Sequence, residues 1–268
     1  MTANASALDP MRLALVGVPN SGKTALFNRL TGSRQKVANY AGVTVERKEG
    51  SFVGPVQQRR YRLLDLPGAY SLTPTTLDEA ITRDCLLGRL AGEAAPEMVV
   101  CVVDATNLRL NLRLALELRE LGVPMIVALN MSDLARDRGF HLDRARLEQE
   151  LGVPVVETVA IRDGGDRELL ERLETLPRPP ARAAAEWHTP TFEQIQATQR
   201  EARRMLHAAG YTEPARRRAL RTLDELVMHP VAGPVILAAL LFFIFQAVFS
   251  WAAVPMQVVD AGVSWVGT

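Results

Sequence analysis

Residues 17 to 24 read Gly17-Val18-Pro19-Asn20-Ser21-Gly22-Lys23-Thr24, the spacing G-x-x-x-x-G-K-T. Each residue type in that pattern has a chemical task. The glycines let the backbone turn tightly, so that successive N–H groups converge on one anionic group. The Lys23 ammonium supplies a point charge for β- and γ-phosphate oxygens, and the Thr24 hydroxyl is a ligand for Mg²⁺. The chemistry implied is capture of a nucleoside triphosphate. Such a loop needs a strand before it and a helix after it. Arg12–Val16 is a short apolar run suited to a buried strand, and Thr24–Leu30 carries helical spacing. The phosphates would then sit at a helix N-terminus, where free N–H groups and the dipole favour anions.

Further segments supply the remaining parts of such a site. Asp65-Leu66-Pro67-Gly68 follows an apolar strand candidate, Tyr61–Leu64. A carboxylate there can hold the Mg²⁺ shell, and the Gly68 N–H can meet a γ-phosphate. Thr44, within Asn39–Glu46, offers a hydroxyl that would complete the Mg²⁺ shell only with γ-phosphate present, and so act as a switch. Asn130-Met131-Ser132-Asp133 follows Pro124–Leu129 and looks like the guanine-recognition motif of GTPases, usually N-K-x-D, with Met131 in the lysine position. The aspartate accepts from the guanine N1–H and exocyclic amine, a pattern that adenine does not offer. The Met131 stem can pack on the base face. After the next strand comes Val159-Ala160-Ile161-Arg162, where GTPases usually carry a Ser-Ala-like turn at the guanine oxygen. Ala160 and Ile161 depart from that turn, so contacts there would be mainly backbone. Alone, each fragment has a plainer reading: a turn for D-x-x-G, a helix cap for Asn and Ser, a solvated loop residue for Thr44. Their order behind one phosphate loop favours the nucleotide.

Composition narrows the class. The 268 residues hold 31 Lys plus Arg against 30 Asp plus Glu, so net charge argues neither for nor against nucleic acid. The two cysteines, Cys85 and Cys101, form no C-x-x-C pair; Cys101 lies within an apolar strand candidate and reads as a buried thiol, suited to a reducing cytosol. Residues 1–11 lack the basic start and apolar stretch of a secretory signal. The far end differs in kind. Leu226 to Val259 contains no Asp, Glu, Lys or Arg, and Val231–Val254 is apolar apart from Gln246 and Ser250. That run exceeds the ~20 residues that a helix needs to cross a bilayer, with Pro234 tolerated in its first turn and Trp251 placed for an interface. Arg200, Arg203, Arg204, Arg216, Arg217, Arg218 and Arg221 precede it, whereas Asp260 is the sole charge after Val254. Positive-inside bias then keeps the N-terminal domain in the cytoplasm. The same arginines also read as a solvated helix face, the plainer case, or as contacts to anionic lipid.

Between these ends, apolar strands alternate with helical stretches, as in a parallel sheet covered on both faces. The strand candidates are Arg12–Val16, Tyr61–Leu64, Glu97–Val103, Pro124–Leu129 and Pro154–Val159. Leu108, Leu110, Leu112, Leu114, Leu116 and Leu118 alternate with period two, which reads as a strand. The stretch lacks β-branched residues, is rich in Leu, Arg, Glu and Ala, and stops at Gly122; composition predicts a helix. Pro177, Pro179 and Pro180 open a linker to Trp187. Helices are expected over Thr191 to about Ala209, with a capping box at Thr191–Gln194 and a stop at Gly210, and over Pro214–Met228.

Taken together, G-V-P-N-S-G-K-T-A-L-F-N-R-L-T-G, N-Y-A-G-V-T-V-E-R, D-L-P-G-A-Y-S-L and N-M-S-D resemble the ferrous iron transport protein B (FeoB) family. His229-Pro230-Val231-Ala232-Gly233-Pro234 is similar to that family's lead into its first membrane helix, so the resemblance extends over nearly the whole chain. It implies an α/β P-loop GTPase domain with a mostly parallel sheet over 1–176. A linker and helical regulatory module over 177–228 and the start of a membrane domain over 229–268, with a transmembrane helix at about 231–254, would follow. The chain looks like the N-terminal part of a longer Fe²⁺ permease of the bacterial inner membrane, with the G domain on the cytoplasmic side. The module, about Arg178–Leu226, is shorter than the family's nucleotide-release-inhibiting domain.

The resemblance implies GTP or GDP contacts at Gly17–Lys23, Thr24, Ala25, Val43, Thr44, Asp65, Gly68, Asn130, Met131, Asp133, Ala160 and Ile161. Mg²⁺ falls to Thr24, Thr44 and Asp65, and catalysis to Asn20, Lys23, Thr44 and Gly68. Asn20 matches an asparagine that helps bind K⁺ beside the phosphates in potassium-activated GTPases, in place of an arginine finger. Ala69 stands where Ras-like GTPases carry a water-orienting glutamine, so a slow, K⁺-stimulated hydrolysis is expected. Fe²⁺ is the cargo, with no site assigned: His141, His188, His207 and His229 are scattered, and Gln246, Ser250, Met256 and Gln257 are weak candidates. The expected partners are the bilayer, the rest of the permease and small Feo accessory proteins, with a homo-oligomer compatible and no nucleic acid. Two rival readings stay open: a soluble GTPase of the ribosome-assembly type, and a membrane-tethered signalling GTPase that transports nothing.

Overall fold

The computed structural model describes residues 9–32, 35–40, 43–180, 187–214 and 226–248. It divides into two compact units, Met1–Glu213 and Pro214–Thr268. In the first unit the seven strands are β1 (Met11–Gly17), β2 (Gln35–Asn39), β3 (Glu46–Val53), β4 (Arg60–Asp65), β5 (Met98–Asp104), β6 (Met125–Asn130) and β7 (Val155–Glu157). The helices are α1 (Lys23–Thr31), α2 (Leu77–Leu86), α3 (Leu108–Glu120), α4 (Ser132–Asp137), α5 (Arg144–Leu151), α6 (Arg167–Thr175) and α7 (Phe192–Ala208). One sheet runs in the order β2-β3-β4-β1-β5-β6-β7. Every pairing from β4 to β7 is parallel, while β2–β3 and β3–β4 are antiparallel.

Helices cover both faces of this sheet, which is why its central strands read as continuous apolar runs. Along β1, Leu13 and Leu15 join a core with Leu26 and Phe27 of α1 and Leu169 and Leu173 of α6. Ala14 and Val16 point the other way, into a core with Ile81, Leu112 and Leu147. All five strand candidates appear, the last shortened to three residues. β2 and β3 were not among them, because they are polar and half-exposed and carry little apolar pattern. The sheet edge at β7 is closed by carboxylates: Glu148 accepts from the Val155 N–H at 3.1 Å and Glu168 from the Glu157 N–H at 3.2 Å. Those donors are thereby withheld from another strand.

The alternating leucines form helix α3, and the reason their period misleads is visible. α3 lies between the sheet and α7, so two sides of it are covered: Leu112, Leu114, Leu116 and Leu118 are all fully buried, while Leu110 stays half-exposed. Met205 and Leu206 of α7 close that second side. α7 begins with the expected capping box, in which the Thr191 hydroxyl accepts from the Gln194 N–H and the Gln194 side chain from the Thr191 N–H. Gly210 follows it in the left-handed region, φ 62°.

In the second unit, α8 (Ala232–Gln246) has no buried side chain, and His229 Nδ1 accepts from the Val231 and Ala232 N–H groups at its start. Its 15 residues rise roughly 22 Å, short of the ~30 Å hydrocarbon layer. No helix among the described residues is long and apolar enough to cross a membrane. Residues 249–254 of the expected span, and 215–225 of the helix expected over Pro214–Met228, lie outside the described residues.

Candidate nucleotide site

β1 ends at Gly17 and α1 begins at Lys23, so the glycine-rich loop spans the gap between a buried strand and a helix start. A Cβ at Gly17 would lie 2.6 Å from the Val102 carbonyl oxygen of the neighbouring strand, which leaves room only for glycine. Gly22 has φ +83°, and a Cβ on it would fall 2.1 Å from Asn130 Nδ2. Asn20 is left-handed as well, φ 66°, a conformation that asparagine tolerates better than most residues. The Ser21 N–H returns to the Val18 carbonyl at 3.1 Å and closes the turn.

This turn frames a cavity of about 510 Å³ lined by Val18, Pro19, Asn20, Gly22, Lys23, Thr24, Ala25, Gly68 and Asp78. The Lys23 ammonium is paired with the buried Asp65 carboxylate at the end of β4. The Asp65–Gly68 turn is bolted to β1, with the Leu66 N–H on the Leu15 carbonyl at 3.1 Å and the Ala69 N–H on the Gly17 carbonyl at 3.2 Å. A Cβ at Gly68 would touch the Pro19 ring at 3.0 Å, so this loop and the phosphate loop are in contact. Ala69 is fully buried and lines no part of the cavity. Beyond it, Glu117 of α3 accepts from the Ser71 hydroxyl at 2.8 Å and the Leu72 N–H at 2.6 Å. Glu79 accepts from the Tyr70 and Thr75 N–H groups. Burial raises the Glu79 pKa, but the hydrogen bonds from Thr75, Tyr70 and Thr76 outweigh it and hold the carboxyl below its ordinary value.

A second cavity, of about 270 Å³, adjoins the first through Gly22 and Ala25, which line both. Its other walls are Asn130, Met131, Asp133, Leu134, Asp137, Val159, Ala160 and Ile161. Asn130 is 2% exposed. Its amide donates to the Ser21 carbonyl at 3.0 Å and accepts from the Ala160 N–H at 3.0 Å, so one buried side chain ties together three loops. Met131 is left-handed, φ 59°, and opens α4. Asp133 accepts from the Leu134 N–H at 2.8 Å and pairs with Arg162 at 3.2 Å.

The fold brings most of the sequence candidates to these two cavities, but not all of them. Gly17, Ser21, Asp65, Val43 and Thr44 line neither: the first three are buried, Thr44 is exposed, and Val43 packs against the apolar core with its N–H on the Tyr40 carbonyl at 3.2 Å. Asp78, Leu134 and Asp137 are additional lining residues. Asp137 sits four positions after Asp133 on one helix and so on the same face, a signal available in advance. Asp78, in the first turn of α2, follows no spacing rule relative to the phosphate loop.

The family model described as ferrous iron transport protein B matches residues 11–173, more than half of the chain. The chain belongs to the FeoB family. The Fe(2+) transporter FeoB of Salmonella typhimurium is 50% identical over 159 residues, which are 58% of this chain and 20% of that protein. Its Escherichia coli K12 counterpart is 49% identical over the same length. The chain thus spans about a fifth of the length of these FeoB relatives. Among solved structures, the G domain of T. maritima FeoB is 42% identical, with a TM-score of 0.55 over 62% of this chain and 98% of that one. The cytosolic domain of the same FeoB in its GMPPNP form is 28% identical, with a TM-score of 0.64 over 76% and 100%. The cytosolic domain of L. pneumophila FeoB is 37% identical, with a TM-score of 0.57 over 63% and 64%.

Proposed function

We propose that this chain is the GTP-binding and GTP-hydrolysing cytosolic part of a bacterial inner-membrane ferrous-iron transporter, gating or driving Fe²⁺ uptake. One observation carries the nucleotide reading. The phosphate-loop cavity and the Asp133 cavity share the Gly22–Ala25 wall, so a triphosphate in one places its base in the other. FeoB G domains have been solved with GDP, as for S. thermophilus, and FeoB cytosolic domains with GMPPNP, which supports a guanine nucleotide here.

The residues divide the work as follows. Backbone N–H groups of positions 18, 20 and 22–24 surround the phosphates, and Lys23 leaves Asp65 to meet the β/γ oxygens. Asp133 accepts from the two donors on the guanine edge, Met131 and Ala25 flank the ring, and Ala160 and Ile161 close the far side. Thr24 lines the phosphate cavity and Asp65 stands behind Lys23, its ion-pair partner, so the two would supply oxygen donors that suit Mg²⁺; Asp65 would become available to it once Lys23 turned to phosphate. When bound, that ion neutralises charge on the β/γ oxygens. Thr44 would add its hydroxyl to that ion only after its segment moved, which would make it the switch. Val43 moves with it. Ala69, being buried and apolar, cannot orient a water. Hydrolysis would therefore rest on the backbone at Thr44 and Gly68, and the Asn20 side chain, exposed at the cavity rim, would hold a K⁺ ion that supplies positive charge beside the phosphates. Turnover is slow for the same reason.

The domain reading remains 1–176 for nucleotide, 177–228 for the helical module and 229–268 for the start of the membrane domain. The apolar character of α8 and of Val231–Val254 supports a transmembrane helix there. The rest of the permease, small accessory proteins and a homo-oligomer belong to the same proposal, and no iron site is assigned to this chain. GTPase rates in KCl and NaCl test the potassium role: faster turnover in KCl, lost in Asn20→Ala, is expected, and equal rates sink it. Fe²⁺ uptake by the full-length transporter, wild type against Asp133→Asn, tests the coupling. Uptake that ignores the substitution removes Asp133 from the guanine site, whereas no uptake by the wild-type transporter leaves a tethered signalling switch as the better reading.

A further inference from the structure

The guanine-side cavity carries a charge arrangement that its proposed ligand must undo. Asp133 is about three-quarters buried, with its side chain 24% exposed, and each of its oxygens is engaged. Oδ1 accepts from the Leu134 N–H at 2.8 Å, an intrahelical bond at the start of α4. Oδ2 lies 3.2 Å from an Arg162 nitrogen, and the Arg162 side chain is 67% exposed. The arginine reaches the aspartate from a rigid base. The Val159 N–H donates to the Gly165 carbonyl at 2.8 Å, the Arg162 N–H to the Val159 carbonyl at 2.9 Å and the Gly165 N–H to the Arg162 carbonyl at 3.0 Å. The next residue, Asp163, is bound by Arg29 of α1 at 2.7 Å. The backbone of the turn is thus held on both sides of Arg162, at a place from which its guanidinium reaches Asp133.

We propose that Arg162 is a competitive latch on the base-reading carboxylate: its guanidinium occupies the Asp133 oxygen that a guanine needs, and so sets guanine affinity and selectivity. This role rests on the guanine reading of the cavity. Guanine presents two donors, N1–H and the 2-amino group, and takes both oxygens of Asp133. Arg162 presents the same kind of donor to the same acceptor. The state competent for guanine is the fraction of molecules in which that pair is open, and apparent affinity falls by that fraction. An exposed ion pair is weak, so the latch lowers affinity by a modest factor, about two- to sixfold. Its weakness also makes it readily displaced, as a step preceding nucleotide capture must be. The direction distinguishes the latch from an ordinary ligand contact. A cation beside a polyphosphate would ordinarily strengthen binding, whereas removing this one strengthens it.

The test is equilibrium binding of GDP, IDP and ADP to the purified 268-residue chain, as wild type, Arg162→Ala and Arg162→Lys. IDP lacks the 2-amino group and asks for one oxygen only, so it gains less from opening the pair. Arg162→Ala should bind GDP about two- to sixfold more tightly than wild type, with a smaller gain for IDP. The difference should close in 1 M NaCl, where the Debye length is about 3 Å. Arg162→Lys, with a point charge in place of the planar fork, should fall between the two. Unchanged or weaker GDP binding in Arg162→Ala overturns the latch, as does an equal gain for GDP and IDP. A wild-type chain that takes ADP as well as GDP removes the guanine reading and this role with it, a pattern separate from failure of the variant. Arg162 is exposed, so thermal melting of the variants should match wild type and exclude misfolding as the cause.

Discussion

Asn130 and Ser21, 109 positions apart, are joined by a hydrogen bond of 3.0 Å from the Asn130 amide to the Ser21 carbonyl. The same side chain accepts from the Ala160 N–H. The residue that the sequence offers as a base contact is therefore also the clasp that holds the phosphate loop against the two loops of the base cavity. Asn130→Ala leaves a buried acceptor and a buried donor unsatisfied. The expected destabilisation is about 1–3 kcal/mol for each group left without a partner, read from urea unfolding. GDP affinity should fall with it. A variant of wild-type stability would show that the clasp carries no load.

Asp133 should behave in the opposite way. Its carboxylate faces the cavity rather than the core, so Asp133→Asn should change stability by no more than about 0.5 kcal/mol. GDP affinity should drop about ten- to hundredfold, the range for a hydrogen bond to a charged group. Xanthosine diphosphate should bind better than GDP to this variant, because xanthine carries a carbonyl where guanine has its amine, and the new amide can donate to it. Titration of both nucleotides checks the exchange; unaltered preference for GDP would place the base elsewhere.

Two left-handed glycines separate strain from crowding. Gly122, φ +67°, faces open space, whereas Gly22, φ +83°, faces Asn130 Nδ2 at 2.1 Å from a built Cβ. Gly122→Ala should cost about 1 kcal/mol from backbone strain alone. Gly22→Ala should cost clearly more and abolish nucleotide binding, since the Asn130 clasp must also move. Equal costs in thermal melts would mean that Asn130 yields freely.

Acid should loosen the segment after Gly68. Glu79 is held below the ordinary value of 4.5, the hydrogen bonds from Thr75, Tyr70 and Thr76 outweighing the opposing effect of burial. A carboxylate with a depressed folded-state pKa contributes stability that is fully present above its unfolded value. That contribution is lost as pH falls through the folded value. Stability attributable to Glu79 should therefore be constant above pH 4.5 and decline below it. Glu79→Gln should be less stable than wild type at neutral pH and should show a shallower acid limb in denaturant titrations. Parallel curves for the two proteins would remove Glu79 from the acid response.

Both thiols should be inert in the folded chain. Burial pushes Cys101 up to about 12, and burial with the nearby Glu93 carboxylate pushes Cys85 up to about 12. Thiolate is the reactive form, so iodoacetamide at pH 8 should label neither residue until denaturant is added, as mass spectrometry can report. Rapid native labelling of either would mean that its side of the sheet opens.

Much of this is legible in the amino-acid sequence. The phosphate loop, the D-L-P-G turn, the N-M-S-D segment and the five parallel strands are written in contiguous residues, and local spacing and apolar runs suffice to read them. α3 could be read against its own period because Leu, Arg and Glu favour helix, yet the reason for that period required α7 on its second side. The β2–β3 hairpin escaped because exposed, polar strands leave no hydrophobic alternation. Thr44 could be singled out for its hydroxyl, but its exposed place outside the cavity could not be read from the residues around it.

By itself, the sequence determined which residue types stand in which order: a glycine-rich loop of phosphate-binding spacing, a D-x-x-G turn and an N-x-x-D segment behind apolar strands, and an apolar run of membrane-spanning length. Tertiary structure alone decided how those parts meet. Asn130 on Ser21, Lys23 on Asp65 and Arg162 on Asp133 each join residues far apart in the chain. The physical reason is range. Spacing along a strand or helix is set by backbone geometry within a few residues, whereas these three contacts exist only after the sheet order is set and the strand ends are brought to one edge.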